Sequence, residues 1–332
     1  MSPRRILGFE GRVLPPDEIY ESREHINPEV KKVLEKVDFK LLRSLFEKIA
    51  RRCGINGDDF TFIEKENIIS EDKNEQEIGP RTLAIYDFYN DAIIFSDDYD
   101  KKVEDAIFNG FDSANTFESR RIYGIDPSLF SDIDLLDKKT LESLKQLFFL
   151  NILIHEEAHV FSYNELSYWQ DNNTFRKMLK FFFAKGTLND VFIKSGYSRQ
   201  CRRKSYKDGD IQEDGWMQLV KFDESVNEKI ARLVLFEYLK IDSEFVIDKR
   251  VIDYFCSIQL TMLGYTSLIK DLDEMIKSVS EVIGVPEETI FGAILRGKVE
   301  GIDIEDSDVL EFFKRYVTEF EDQNNPWIKD DE

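Results

Sequence analysis

Two of the chain's three histidines stand four residues apart in the run His155-Glu156-Glu157-Ala158-His159. An α-helix turns once in about 3.6 residues, so positions four apart lie on one face. His155 and His159 can therefore offer two imidazole nitrogens to one divalent ion. Glu156 is rotated about 100° from His155 on such a helix and can reach a water beside that ion. A metal lowers the pKa of bound water towards about 7, and a neighbouring carboxylate can take its proton and pass it to a leaving amine. Hydrolysis is the chemistry these residue types suggest.

The motif lies in residues 141–163, LESLKQLFFLNILIHEEAHVFSY, where 147–154 are apolar on almost every face except at Asn151. A helix apolar all round is buried. This one is too short to span a bilayer, which takes about 20 apolar residues, so the polar HEEAH turn is expected to emerge from the interior at a cleft. Short motifs also match by chance, and the plain alternative is two solvated or hydrogen-bonded histidines.

A catalytic zinc site usually has three protein ligands and one open position. His25, the remaining histidine, sits just before a helix start and has no ligand spacing around it, which reads as a surface or capping residue. Cys53, Cys201 and Cys256 are widely separated and form no CxxC pair, so the third ligand should be a carboxylate. The best candidates lie in Phe222-Asp223-Glu224-Ser225-Val226-Asn227-Glu228. There Glu224 and Glu228 are four apart near a helix N-terminus and can face one cleft.

With HEEAH followed downstream by DESVNE, the chain resembles the gluzincins, thermolysin-like and smaller zinc metallopeptidases, over roughly residues 58–270. The resemblance implies Zn²⁺ held by His155, His159 and Glu224, with Glu228 holding the His155 ring by its distal N–H. Asp223 stands where that family often has Asn. The resemblance also implies a zincin-like fold in which an edge strand binds extended substrate by strand addition, and residues 92–95 are the candidate edge. Thermolysin-like enzymes use a downstream histidine or tyrosine to stabilise the oxyanion, and no histidine follows His159. Tyr254 is the best placed tyrosine by resemblance to small gluzincins, with Tyr238 and Tyr265 behind it; a core tyrosine is the alternative for each. Glu157 is expected to face solvent and Asp223 to cap its helix.

The 332 residues are 42% hydrophobic, with 27 Phe and 13 Tyr, enough for a substantial core in one large or two modest domains. A net charge of -21 and a pI near 4.7 argue against nucleic acid or anionic lipid as the main partner. The cysteines read as reduced and structural, no apolar run of signal-peptide or membrane-spanning length is seen, and the cytoplasm is the expected location.

Along the chain, residues 1–26 read as irregular, and a helix opens at Asn27-Pro28-Glu29 and runs to about 52. Strands are expected at 60–63, 83–89 and 92–95, the last two a hairpin around Asn90-Asp91, with a polar loop at 71–77 between them and the first. Residues 97–137 read as acidic and irregular; the Asp97-Asp98-Tyr99-Asp100 run lacks the spacing of an EF-hand loop. A helix is expected at about 173–185, strands at 190–201 and 211–220 around the turn Lys207-Asp208-Gly209-Asp210, and helices at 223–240, 245–272, 286–296 and 306–320. Arg199, Arg202, Arg203, Lys204 and Lys207 form the one basic cluster, read as a solvated hairpin tip.

The expected architecture is helix-rich α+β, with a small mixed sheet and a buried active-site helix. It divides into an irregular segment 1–27, a zincin-like catalytic domain 28–270, a C-terminal helical extension 271–321 and a disordered tail 322–332. The expected function is zinc-dependent peptide hydrolysis with Glu156 as general base, a peptide or protein as substrate, and neither nucleic acid nor membrane as partner. The alternative is a catalytically silent zinc protein that captures a peptide or protein partner. Oligomeric state is left open.

Overall fold

The structure, a computed structural model, describes residues 5–9, 26–55, 60–71, 82–87, 92–114, 135, 137–170, 185–207, 210–241, 245, 247–262 and 265–301. In chain order these form β1 (Arg5–Phe9), α1 (Pro28–Leu34), α2 (Phe39–Arg52), β2 (Ile68–Ser70), β3 (Ala84–Asp87), β4 (Ala92–Phe95), α3 (Tyr99–Ala114) and α4 (Lys138–Phe161). Then follow β5 (Asn164–Gln170), β6 (Lys185–Ser195), β7 (Ser198–Lys207), β8 (Asp210–Gln218), α5 (Val220–Ile241), α6 (Lys249–Met262), α7 (Tyr265–Ile283) and α8 (Glu287–Glu300). The fold is thus helix-rich α+β with mixed sheets: β2-β4-β3, and β1-β5-β6-β7-β8 with β1 parallel to β5 and the rest antiparallel. Among the described residues no helix is long and apolar enough to cross a membrane.

The apolar stretch before HEEAH makes α4 the centre of the packing. Phe149 stacks on Phe95 of β4 with ring centroids 4.9 Å apart, and Phe148 meets Phe255 of α6 edge-on at 5.1 Å. At the far end Phe161 contacts Phe46 of α2 and Phe60, at 5.3 and 4.6 Å. Each fully buried ring among them contributes about 1.5–3 kcal/mol by leaving water. Asp137 caps the N-terminus by accepting from Thr140 N. At the other end the Asn164 amide donates to the carbonyls of His159 and Ser162, at 3.0 and 2.9 Å, satisfying the last turn just past the motif.

Several elements differ from expectation. Arg5–Phe9, expected to be irregular, pairs with β5. The first long helix is split at residues 35–38, because Asp38 caps a new helix by accepting from Lys40 N and Leu41 N at 3.0 Å. Residues 60–63 join no ladder among the described residues, and the third strand of that sheet is Ile68–Ser70. Within the expected acidic coil, α3 forms because Tyr99, Val103 and Ile107 recur at helical spacing and are all buried. Asp98 and Asp100 at its start pair with Lys102 and Lys145. The expected strand 190–201 is folded back on itself at Gly196, whose φ of 57° suits a glycine turn.

The basic run lies in β7 between two strands, with Arg203 in register with Asp190 on β6 and Asp214 on β8, so it is sheet and not a hairpin tip. The expected helix 245–272 is two helices, α6 and α7, and both α7 and α8 feed Leu272, Ile276, Ile290 and Ile294 into the same core as α4. His25, the turn residues 90–91 and 208–209, residues 173–184 of an expected helix, the helix 306–320 and the tail 322–332 lie outside the described residues.

Candidate metal centre

α4 and α5 pack against each other and bring the two halves of the motif together. His155, His159 and Glu224 each offer a ligand atom within 4.8 Å of the others, a group that could hold a metal ion. Glu224 Oε2 lies 3.1 Å from His155 Nε2, and its Oε1 lies 3.5 Å from His159 Nε2. The two rings are 5.1 Å apart. Two imidazoles and a carboxylate are a donor set suited to zinc and to several other divalent ions.

The helix geometry explains the convergence. β8 enters α5 through Leu219, held at a φ of 56°, so the chain turns directly from strand into helix. Glu224 then falls in the second turn, one turn before Glu228, and both face α4. His155 Nδ1 meets Glu228 Oε2 at 3.1 Å, as expected for the residue that holds this ring, and Glu228 Oε1 accepts from Arg232 Nε at 3.0 Å. The site opens outward from there: Glu228 is 1% exposed, the His159 side chain 16% and that of Glu224 21%.

Charge follows the same geometry. Burial disfavours a charged His155, but its hydrogen bonds to Glu224 and Glu228 outweigh this and hold its pKa well above the ordinary 6.5. Burial likewise opposes ionised Glu224, and the two imidazoles overcome it, leaving the carboxyl well below the usual range. Glu156, beside them on α4, is raised, chiefly by burial. The backbone N–H of Tyr86 on β3 donates to it. A carboxylate raised towards neutrality is suited to take and return a proton.

Three expectations are corrected here. β4 (Ala92–Phe95) is not the edge strand, because β2 and β3 flank it on both sides; among the described residues β3 is an edge of that sheet, and it packs on α4 beside Glu156. Glu157 does not face solvent. It is 1% exposed and accepts from Ile63 N at 3.3 Å, since a helix buried all round has no solvent face at this turn. Asp223 is not an N-cap: α5 begins at Val220, and Asp223 sits inside the first turn, buried and paired with Lys298.

Tyr254 is fully buried as a member of the main core and is not part of the three-residue group. Tyr238 is equally buried, and its hydroxyl accepts from Asp38 N at 2.8 Å, which ties down the start of α2. The side chain of Tyr265 lies outside the described residues. Sequence reasoning missed Asn227 and Arg232, each of which lies one turn from a residue it did single out, and Lys298, which no local pattern marks. Asn227 Nδ2 lies 3.0 Å from His159 Nδ1, and Arg232 secures Glu228. No family model matches this chain, and neither a curated protein nor a solved structure was found to match it.

Proposed function

We propose that the chain is a zinc-dependent peptidase of the gluzincin type on a zincin-like fold. The observation that supports this best is the convergence of His155, His159 and Glu224 at the end of a buried helix whose next residue, Glu156, is a carboxylate of raised pKa. Zinc bound by these three would polarise a carbonyl and make a water acidic at neutral pH. Glu156 takes the proton of the attacking water and delivers it to the departing amine. β3 offers an extended peptide its outer edge, and the Tyr86 N–H keeps Glu156 beside that edge. The oxyanion is assigned to Tyr254 only by resemblance, and its burial favours packing. Three free cysteines agree with the cytoplasm as the working compartment.

Glu156→Gln tests the mechanism. The variant is expected to bind zinc like the parent and to lose chelator-sensitive cleavage of casein. Full cleavage by Glu156→Gln would overturn the mechanism. Zinc binding with no cleavage by the parent over a broad peptide library would favour the silent zinc protein that captures a partner.

A further inference from the structure

Among the described residues Lys298 is an unexpected buried group. It lies near the end of α8 with no solvent exposure, although lysine is almost never fully buried without a partner. Its partner is Asp223, 1% exposed, whose Oδ1 takes the Lys298 ammonium and also accepts from Tyr197 N at 2.8 Å. Asp223 Oδ2 accepts from Asn227 Nδ2 at 3.3 Å, one turn along α5, and the same amide nitrogen stands against the His159 ring, 3.0 Å from Nδ1 and 3.2 Å from Nε2. A continuous polar chain therefore runs from α8 through α5 to a metal-binding candidate on α4.

The surroundings are built to keep that chain in place. Tyr163 N donates to Lys298 O at 3.0 Å, and Tyr197 Oη donates to Ile294 O at 2.7 Å, so α8 is tied to the end of α4 and to the β6–β7 turn. That turn contains Gly196, where a Cβ would run into Asp223 Oδ1 and Lys298 Nζ. Asn227 Oδ1 is buried without a hydrogen-bond partner, a costly condition for an amide.

We infer that Lys298, Asp223 and Asn227 are positioning residues for His159, and that α8 is a working part of the metal centre. The inference rests on the metal-binding reading of His155, His159 and Glu224. An ion pair with nothing beyond packing to do would stop at Asp223; here the carboxylate has a second oxygen on Asn227, and Asn227 stands against the ring.

The test compares zinc affinity, by competition with a chromophoric chelator, in the parent, Asn227→Ala, Lys298→Met and Ile294→Ala. Outer partners of metal ligands are worth roughly 10–100-fold in affinity, and that loss is expected for Asn227→Ala and Lys298→Met. Ile294→Ala, a core truncation on the same helix, is expected to lower the melting temperature and leave zinc affinity within about twofold of the parent. The His159 ring resonances of zinc-loaded Asn227→Ala should be shifted from those of the parent, and those of zinc-loaded Ile294→Ala should match the parent. Where Lys298→Met does not fold, Asn227→Ala decides, because it leaves the ion pair intact. Parent-like affinity in Asn227→Ala, or equal weakening in Ile294→Ala, overturns the inference alone. A folded parent that takes up no zinc overturns the metal reading and this inference with it.

Discussion

His155 has a carboxylate at each ring nitrogen, Glu224 at Nε2 and Glu228 at Nδ1, both at 3.1 Å. His159, one turn further along the same helix, meets Glu224 at 3.5 Å and has the neutral Asn227 amide against its ring. Behind Glu228 stands Arg232, partly exposed; behind Asn227 stands the Asp223–Lys298 pair, fully enclosed. One ring is thus held by charge at the deep end of the site, and the other by a neutral group whose charges are kept one step back. The difference separates two tasks. The charged partner fixes the His155 ring and raises its pKa together, while the neutral one acts on the His159 ring by position.

The largest effect is expected where the enclosed pair is broken. Lys298→Met leaves Asp223 buried and uncompensated, and should cost about 3–5 kcal/mol of stability in denaturant unfolding. Lys298→Met combined with Asp223→Asn should recover much of that loss, because neither charge then remains buried alone.

On the His155 side the cost should appear in binding before stability. Glu228→Gln keeps the shape and a hydrogen-bond acceptor but removes the charge, and is expected to weaken zinc by roughly 10–100-fold in chelator competition. The His155 side should also show itself in protons. The raised His155 pKa favours its protonated form in the metal-free protein, so zinc uptake should release protons, measurable by calorimetry in buffers of different ionisation enthalpy. The sign for stability follows. The raised His155 pKa contributes stability that is full below its unfolded value and is lost as pH rises through the folded value. The lowered Glu224 pKa contributes stability present above its unfolded value and lost as pH falls through the folded one. Chelated protein should therefore lose melting temperature on the alkaline side more steeply than zinc-loaded protein.

The smallest effect is expected at an open ion pair. Lys270 and Glu274 on α7 are 3.8 Å apart with side chains 64% and 65% exposed. Lys270→Met should change stability by less than about 0.5 kcal/mol, against several for Lys298→Met.

The parts of the centre that follow helical spacing were legible in the sequence. HEEAH at the end of an all-apolar run located α4, and the four-residue step from Glu224 to Glu228 located the facing side of α5. The same run also carried a signal that Glu157 would be buried, since a helix without a polar face leaves no exit for it. Residues 92–95, Ala-Ile-Ile-Phe, have no alternation and are all buried, the pattern of a strand covered on both faces, which is poor material for an exposed edge. The helix α3 was written in Tyr99, Val103 and Ile107 but masked by acidic residues between them. By contrast, the Lys298–Asp223 pair joins residues 75 apart and the Ile63–Glu157 bond joins residues 94 apart. Such contacts depend on how helices pack, and no local period announces them. The split before α2 is of the same kind, since Asp38 caps the new helix while its N–H is taken by Tyr238, 200 residues away.

The central claim, that His155, His159 and Glu224 form one metal site, is tested most directly by native mass spectrometry. The protein would be purified without chelator, beside Glu224→Ala, and both offered zinc. About one zinc per chain in the parent and a clear loss in Glu224→Ala is the predicted result. A folded parent that stays metal-free, or a Glu224→Ala variant that binds zinc as tightly as the parent, would contradict it.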